Sequence, residues 1–127
     1  MEDKEYKLLF NSEDTYWWHN GLHSIALELL PLRHFLNKNG IRVLDAGCGT
    51  GGWLKKAKDF FWATGIDISE KALSFSAKRG LDNLVKADVI NLPFKADTFD
   101  IVTAFDILYH RRVVSDTAGI KEFCRVL

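Results

Sequence analysis

The chain has 127 residues, of which 47% are hydrophobic, so it is long enough to form one domain with a buried core. Its 17 basic and 17 acidic residues cancel, which argues against recruitment by nucleic acid or by an anionic membrane surface. Two widely spaced cysteines, no basic and apolar leader, and no apolar run of about 20 residues predict a soluble, cytoplasmic protein.

Residues 1–40 are expected to form a helical segment that caps the rest of the domain. After a polar start, apolar side chains recur at helical spacing, at Leu22, Ile25, Ala26, Leu29, Leu32 and Leu36. Pro31 should kink or divide this helix, and the run N-K-N-G at 37–40 supplies turn residues. His23 and His34 lie on the helix and are expected at its surface.

From residue 41 to residue 127, apolar strands alternate with helices. The strands are predicted at about 41–46, 62–66, 84–87 and 99–104. Helices are predicted at about 51–58 and from an N-cap at Ser69 to Gly80, and a last helix carries Ile120, Phe123, Cys124 and Leu127 on one face. This alternation indicates an α/β fold in three layers, with a parallel sheet between two layers of helices.

The run V-L-D-A-G-C-G-T-G-G at 43–52 is the most informative stretch of the chain. It places Gly47, Gly49 and Gly51 between a buried strand and a helix. A turn without Cβ atoms lets backbone N–H groups and a helix N-terminus approach a ligand closely. Cys48 supplies a small side chain in this turn, so we expect it to line the site and not to act as a nucleophile.

An acidic residue lies at or just past the carboxyl end of each predicted strand, at Asp45, Asp67, Asp88 and Asp106. Because ligands of parallel sheets bind beyond these ends, the four acids predict a rim of hydrogen-bond acceptors around one crevice. Asp67 follows Gly47 by 20 residues, a spacing at which an acid accepts hydrogen bonds from ribose hydroxyls. The plain alternative is a tight turn and a helix-start residue without a ligand.

Two kinds of nucleoside cofactor suit this pattern. A dinucleotide favours G-x-G-x-x-G, and Gly52 supplies the last glycine of that spacing. Asp45 discriminates between the two, because a carboxylate repels a pyrophosphate and attracts a cationic amino-acid sulfonium. A nicotinamide-dependent oxidoreductase, supported by Gly52 and Asp67, stays open as an alternative.

Four motifs occur in order: V-L-D-A-G-C-G-T-G at 43–51, G-I-D-I-S at 65–69, K-A-D-V-I-N-L-P-F at 86–94 and F-D-I-V-T-A-F-D-I-L-Y-H at 99–110. Together they resemble the class I S-adenosylmethionine-dependent methyltransferase family over about residues 41–127. The run E-D-T-Y-W-W-H at 13–19 is similar to small-molecule branches of that family. The resemblance implies a Rossmann-like sheet in the order 3-2-1-4, S-adenosyl-L-methionine as cofactor, and methyl transfer to a small molecule.

The resemblance also implies which residues hold each part of the cofactor. The methionine portion would be lined by Asp45, Gly47, Cys48, Gly49 and Gly51, with Asp45 near the amino group. The ribose would be held by Asp67, and the adenine by Ile68, Asp88 and Val89. The sulfonium would be bordered by Ala104 and Phe105.

The aromatic run before the first predicted helix allows two interpretations. Either it folds as a lid over the cofactor, with Tyr16 or His19 donating to the carboxylate of the cofactor, or it packs as core. In both cases Trp17 or Trp18 is expected to be buried. His110 is the candidate general base, because imidazole titrates near neutral pH; a half-exposed loop histidine is the alternative. No cluster has metal-ligand spacing, so no metal is expected.

Compared with the family, the chain is expected to be truncated at its C-terminus. The fourth strand, at 99–104, would then be an apolar edge with unpaired backbone groups. Three alternatives stay open: the chain is a fragment of a methyltransferase, it forms a homodimer through that edge, or it is a cofactor-binding or assembly module without turnover.

Overall fold

The computed structural model describes residues 2–30, 39–110 and 113–127. The predictions made for Pro31, Leu32, His34, Leu36 and residues 37–38 lie outside these ranges. Helices and strands follow one another as α1 (Asp3–Ser12), α2 (Trp17–Leu29), β1 (Arg42–Ala46), α3 (Gly52–Ala57), β2 (Trp62–Asp67), α4 (Glu70–Lys78), β3 (Leu84–Lys86), β4 (Ile101–Thr103) and α5 (Asp116–Val126).

The four strands form one parallel sheet in the order β3-β2-β1-β4, which confirms the predicted order. At the centre of the sheet, Asp45 is in register with Gly65 of β2 and Thr103 of β4. The carboxyl ends of three strands therefore meet around Asp45. This is the edge at which a parallel α/β sheet binds its ligands.

Helices cover both faces of the sheet. Leu44 points to one face, where it packs with Ile66 and with Val126 of α5. Val43 points to the other face, where it packs with Trp53 of α3. Successive side chains of a strand alternate between faces, so burial of both neighbours requires cover on both sides. The three-layer prediction is confirmed.

Element ends differ from the predictions by one or two residues, and most at β4. That strand is limited to Ile101–Thr103, against a predicted 99–104. The backbone N–H of Phe99 donates to the carbonyl of Val126 at 2.8 Å and so bonds to the end of α5 instead of β1. The predicted N-cap is confirmed, since Ser69 Oγ accepts a hydrogen bond from the Ala72 N–H at 3.2 Å.

Residues 1–40 were predicted to be helical, but a separate first helix, α1, was not predicted. Its inner side is marked at helical spacing by Tyr6 and Glu13, which are buried, and by Phe10, which is half-buried. Helix α2 begins earlier than expected, at Trp17, and its buried side was misjudged. His23 is buried, and Ala26, Leu27 and Leu30 pack against the core, whereas Ile25 and Leu29 are exposed. Ala26 was thus predicted correctly, whereas Ile25 and Leu29 were wrongly assigned to the buried side, because apolar residues occupy both sides of this helix.

The predicted apolar face of α5 is also wrong apart from Phe123, which packs partly against the core. Ile120, Cys124 and Leu127 are exposed, and Gly119 and Val126 are buried in their place. The inner side of the helix carries an ion pair instead, with Arg125 Nε at 2.7 Å from Glu122 Oε1. Both residues also bond to the backbone of the loop after β3, which explains why polar residues lie inward.

Within the described ranges no helix combines the length and the apolar character needed to cross a bilayer.

Candidate functional site

A cavity of about 480 Å³ opens at the carboxyl ends of β1, β2 and β4 and is covered on one side by α1 and α2. Its size is that of an ordinary small-molecule site. Ten of the predicted site residues line it, namely Asp45, Gly47, Cys48, Gly49, Asp67, Ile68, Asp88, Val89, Phe105 and His110. The fold therefore gathers residues from four separate motifs around one space.

Gly51, Ala104 and Tyr16 are not among the lining residues of this cavity. Gly51 has φ +83° at the N-cap of α3, and a Cβ there would come within 2.7 Å of Leu81 and Ser76. The absence of a side chain at Gly51 lets the loop pack closely against α4, and this residue does not face the cavity. For Ala104, it is the neighbouring Phe105 that reaches the site.

The aromatic run at 16–18 lies outside the cavity. The fractional exposures of Tyr16, Trp17 and Trp18 are 53%, 70% and 53%, and Tyr16 packs against Trp17 and His19. The expectation that one of the tryptophans is buried is wrong, because α2 turns them away from the sheet. Tyr16 does not reach the site in this structure, whereas His19 lines it.

The glycine loop is held to β2 by its backbone. The N–H groups of Gly47 and Cys48 both donate to the carbonyl of Ile66, at 2.9 and 2.8 Å. Gly49 has φ +55°, and the position of a Cβ on it meets no atom within 4 Å. A side chain there would occupy open space, so Gly49 is the point at which a ligand can approach the main chain.

Asp67 is fixed by two backbone donors. Its Oδ2 accepts a hydrogen bond from the Gly49 N–H at 2.9 Å, and its Oδ1 accepts from the Ser69 N–H at 2.8 Å. A carboxylate has about four acceptor positions, so each oxygen keeps capacity for a further donor. The side chain is thus held in a fixed orientation beside the bare glycine.

Asp45 is 2% exposed and is bonded by Thr103, whose Oγ1 donates to Asp45 Oδ1 at 2.9 Å. The indole Nε1–H of Trp53 donates in turn to Thr103 Oγ1 at 3.0 Å. Burial raises the pKa of Asp45 to about 7; the Thr103 hydrogen bond opposes this, and the carboxylates of Glu13 and Asp67 add to it. A cation bound beside Asp45 would restore the ionised form.

Cys48 is also buried, and burial raises the pKa of its thiol far above the ordinary value. A thiol that stays protonated is a poor nucleophile. Cys48 therefore lines the cavity with a small, unreactive side chain.

The loop after β3 presents Asp88 to the cavity in a closed turn. Asp88 Oδ1 accepts a hydrogen bond from the Ile90 N–H at 3.2 Å, and its carbonyl accepts from the Asn91 N–H at 3.0 Å. Val89 is buried in the core beside it, and Ile68 lines the cavity from the β2 side. This end of the cavity offers apolar walls and one carboxylate.

A buried polar cluster of Glu13, Thr50 and Arg79 was not predicted. Thr50 Oγ1 donates to Glu13 Oε2 at 2.5 Å, and an Arg79 guanidinium nitrogen lies 3.0 Å from the same oxygen. Arg79 Nε also donates to the Thr50 carbonyl at 2.7 Å. The cluster joins the end of α1 to the glycine loop and to α4. Sequence spacing gives no signal for it, since its three members are far apart in the chain.

His23 was expected at the surface but is 5% exposed and lines the cavity. Its ring lies against those of Trp53 and Phe105, with centroid distances of 5.5 and 6.0 Å. Its Nδ1 is 3.1 Å from Lys56 Nζ, which also donates to Asn20 Oδ1 at 2.8 Å. Burial, together with the Lys56 charge, lowers the pKa of His23 to about 4. The ring is therefore neutral at physiological pH.

No group of three or more His, Cys, Asp or Glu side chains within the described residues is arranged to hold a metal ion. That no metal takes part stays a prediction.

Comparison with known proteins identifies the family to which the chain is similar. The methyltransferase domain family matches residues 43–127, which are 85 of the 127 residues. The ubiquinone biosynthesis O-methyltransferase of Bordetella avium is 38% identical, covering 93% of this chain and 54% of that protein. Cycloartenol-C-24-methyltransferase 1 of Oryza sativa subsp. japonica is 32% identical, covering 100% and 42%.

Among solved structures, the methyltransferase in a complex with the Haloferax volcanii Trm112 methyltransferase activator is 25% identical. It superposes with a TM-score of 0.73, covering 98% of this chain and 52% of that one. The chain thus spans about half or less of the length of these proteins. A family match over 85 residues, with relatives above 30% identity along almost the whole chain, shows that it belongs to the class I S-adenosylmethionine-dependent methyltransferases.

Proposed function

We propose that this chain binds S-adenosyl-L-methionine in the cavity and takes part in methyl transfer to a small-molecule acceptor. The observation that carries the proposal is that two carboxylates line one cavity with Gly49, one of them buried and the other held by backbone N–H groups. Asp67 offers paired acceptors for a ribose, and Asp45 offers a buried anion for an ammonium. An amino-acid nucleoside carries both of these groups.

The lining residues fit this cofactor along its length. Asp67 would bind the ribose hydroxyls, and the adenine would lie among Ile68, Asp88 and Val89. The methionine portion would lie along Gly47, Cys48 and Gly49, with Phe105 beside the sulfur. When bound, the cofactor supplies an electrophilic methyl group on a cationic sulfur. The protein's own contribution is to orient the reactants and to keep water out of the site.

His110 is proposed as the group that accepts a proton from the methyl acceptor. It lies in the loop after β4 and lines the same cavity. A base is needed only where the acceptor atom carries a proton, as a hydroxyl or ammonium group does. The balanced charge of the chain supports a small molecule over a nucleic acid as acceptor.

The chain is proposed to act as one domain, with residues 1–40 covering a cofactor-binding core at 41–127. Side chains of both α1 and α2 line the cavity, among them Tyr6, Leu9 and Leu22. The N-terminal segment thus closes the space that the sheet opens. This arrangement supports the lid interpretation, carried out by other residues than the exposed tryptophans.

A cofactor-binding or assembly module without turnover is the second candidate. β4 pairs with β1, and none of the described residues pairs with its other side. The homodimer proposed through this edge stays a prediction, which light scattering over a range of concentrations would decide. A nicotinamide-dependent enzyme is disfavoured by the buried Asp45, which would repel a pyrophosphate.

Calorimetric titration with S-adenosylhomocysteine tests the proposal, with NAD as the comparison ligand. We expect binding of the first ligand only. Asp67→Ala should weaken that binding by about 1–3 kcal/mol, because the ribose loses hydrogen bonds to a charged acceptor. A folded wild-type chain that binds NAD, or neither ligand, would contradict the proposed function.

A further inference from the structure

The imidazole of His23 is held in one tautomer by Lys56. The two nitrogen atoms, His23 Nδ1 and Lys56 Nζ, are 3.1 Å apart. A lysine ammonium has three donors and no acceptor, so Nδ1 must accept this hydrogen bond. The ring is then neutral and carries its proton on Nε2. Its pKa of about 4, lowered by burial and by Lys56, agrees with that state.

The Nε2–H of His23 is available to a ligand. The fractional exposure of His23 is 5%, and the residue lines the cavity. No described residue bonds to Nε2. Among the described residues, every side-chain nitrogen or oxygen that is fully buried has a hydrogen-bond partner, so an atom without a partner is accessible. Nε2 is therefore not enclosed by protein and lies at the cavity surface as an unused donor.

We propose that His23 donates its Nε2–H to the α-carboxylate of the bound cofactor and that Lys56, behind the ring, strengthens this donor. The inference rests on the proposed function and assigns a residue that the sequence placed at the surface. Lys56 itself does not line the cavity, and its ammonium bonds to His23 and Asn20. It acts as a positioning residue that fixes the tautomer and polarises the imidazole.

The contacts around His23 place it at the methionine end of the site. Its ring lies against Trp53, whose indole N–H is bonded to Thr103, and Thr103 is bonded to Asp45. An amino acid carries its ammonium and carboxylate on one carbon, so a donor for the carboxylate must lie near the acid that takes the ammonium. The indole N–H of Trp53 is already used by Thr103. His23 offers the next donor along this wall.

The same features argue against His23 as a general base. Its Nδ1 is blocked by Lys56, and Nε2 already carries a proton. A base at this ring would have to be protonated on both nitrogens beside the Lys56 charge, which the environment disfavours. His23 binds and orients, and the proton-accepting role remains proposed for His110.

Two adenosyl ligands test the carboxylate contact in the full chain. S-adenosylhomocysteine carries the carboxylate, whereas its decarboxylated analogue keeps the amine, the thioether and the nucleoside. His23→Phe keeps an aromatic ring between Trp53 and Phe105 but removes the donor. We expect this variant to bind S-adenosylhomocysteine about tenfold or more weakly, as for a hydrogen bond to a charged group. Binding of the decarboxylated ligand should stay within about twofold, since the lost bond is absent from it.

His23→Gln keeps a side-chain N–H and should recover part of the lost affinity. If His23→Phe weakens the binding of both ligands equally, the ring only shapes the cavity. If it weakens the binding of neither, His23 does not contact the carboxylate. Either result overturns the inference. Failure of the wild-type chain to bind both ligands would instead reject the proposed function. The two failures are therefore distinguishable.

Lys56 is tested by spectroscopy as well as by binding. Nitrogen NMR of the ligand-free chain should show His23 as the Nε2–H tautomer, and Lys56→Met should raise the pKa of His23 and weaken S-adenosylhomocysteine binding severalfold. Lys55→Met is the matched control, because Lys55 is half-exposed and pairs with Asp14 instead. An Nδ1–H tautomer in the wild type, or equal effects of the two lysine variants, would overturn the role of Lys56.

Discussion

At the scale of single residues, the site depends on carboxylates held in unlike environments. Asp67 is presented with its oxygens oriented by backbone donors, whereas Asp45 is buried with one hydroxyl partner. Burial makes ionisation of Asp45 costly in the ligand-free state. A cationic ligand beside Asp45 would offset that cost, so the burial of this acid would favour a positively charged group over a neutral one.

The raised pKa of Asp45 predicts a pH dependence of stability. Its pKa is about 7 in the folded chain and near the ordinary value of 3.8 when unfolded, so between these values the folded state binds more protons. Stability contributed by the protonated acid is therefore full below about pH 4 and is lost as pH rises to about 7. Asp45→Asn cannot ionise and should remove this slope. Urea unfolding of both chains from pH 5 to 8 measures it; parallel curves would contradict a raised pKa.

Residue-scale reasoning from sequence succeeded where a local pattern carries the signal. The glycines at 47 and 49 and the acids at strand ends are read directly, because loop chemistry and strand position are local properties. His23 was misplaced for the opposite reason. Its burial depends on Trp53, Phe105 and Lys56, which join it only after the chain folds.

At the scale of elements, Arg79 connects three parts of the fold. Its side chain is 3% exposed and reaches the carbonyl of Phe10 at 2.7 Å, Asp14 at 2.8 Å and Thr50 at 2.7 Å, in addition to Glu13. Arg79, at the end of α4, thereby joins α1 to the glycine loop, and Glu13 of this cluster also lines the cavity. Sequence patterns predicted α4 and its cap, but they cannot show which distant element an inward-facing arginine will meet.

Arg79→Met should destabilise the chain by about 3–5 kcal/mol, because it leaves Glu13 buried without its cationic partner. Adding Glu13→Gln should recover part of that loss, since the unpaired charge is then removed. Lys55→Met serves as the control, because an ion pair between half-exposed groups contributes little. Urea unfolding of the four chains measures these differences. Equal losses for Arg79→Met and Lys55→Met would show that the cluster carries no special stability.

At the scale of the whole molecule, the N-terminal helices and the sheet form opposite walls of the same cavity. The alternation of strands and helices predicted a parallel sheet, and the resemblance to the methyltransferase family supplied its strand order. Helix α1 and the buried side of α2 could not be predicted in this way. Which side of these helices is buried depends on the part of the sheet that they cover, and that is known only in the folded chain. The cavity lies between these two parts, so its closure depends on their docking.

This arrangement predicts that helix α1 and strand β1 open together. Hydrogen exchange measured by mass spectrometry should give similar protection for residues 3–12 and for the backbone of 42–46, because the Arg79 cluster joins α1 to the glycine loop that directly follows β1. S-adenosylhomocysteine at 100 times its Kd should raise both by about 2.7 kcal/mol, since only the folded, docked state binds it. In Arg79→Met the helix should lose protection first, while the strand retains more of it. Rapid exchange of α1 in the wild type, unchanged by ligand, would mean that the first helix does not close the site.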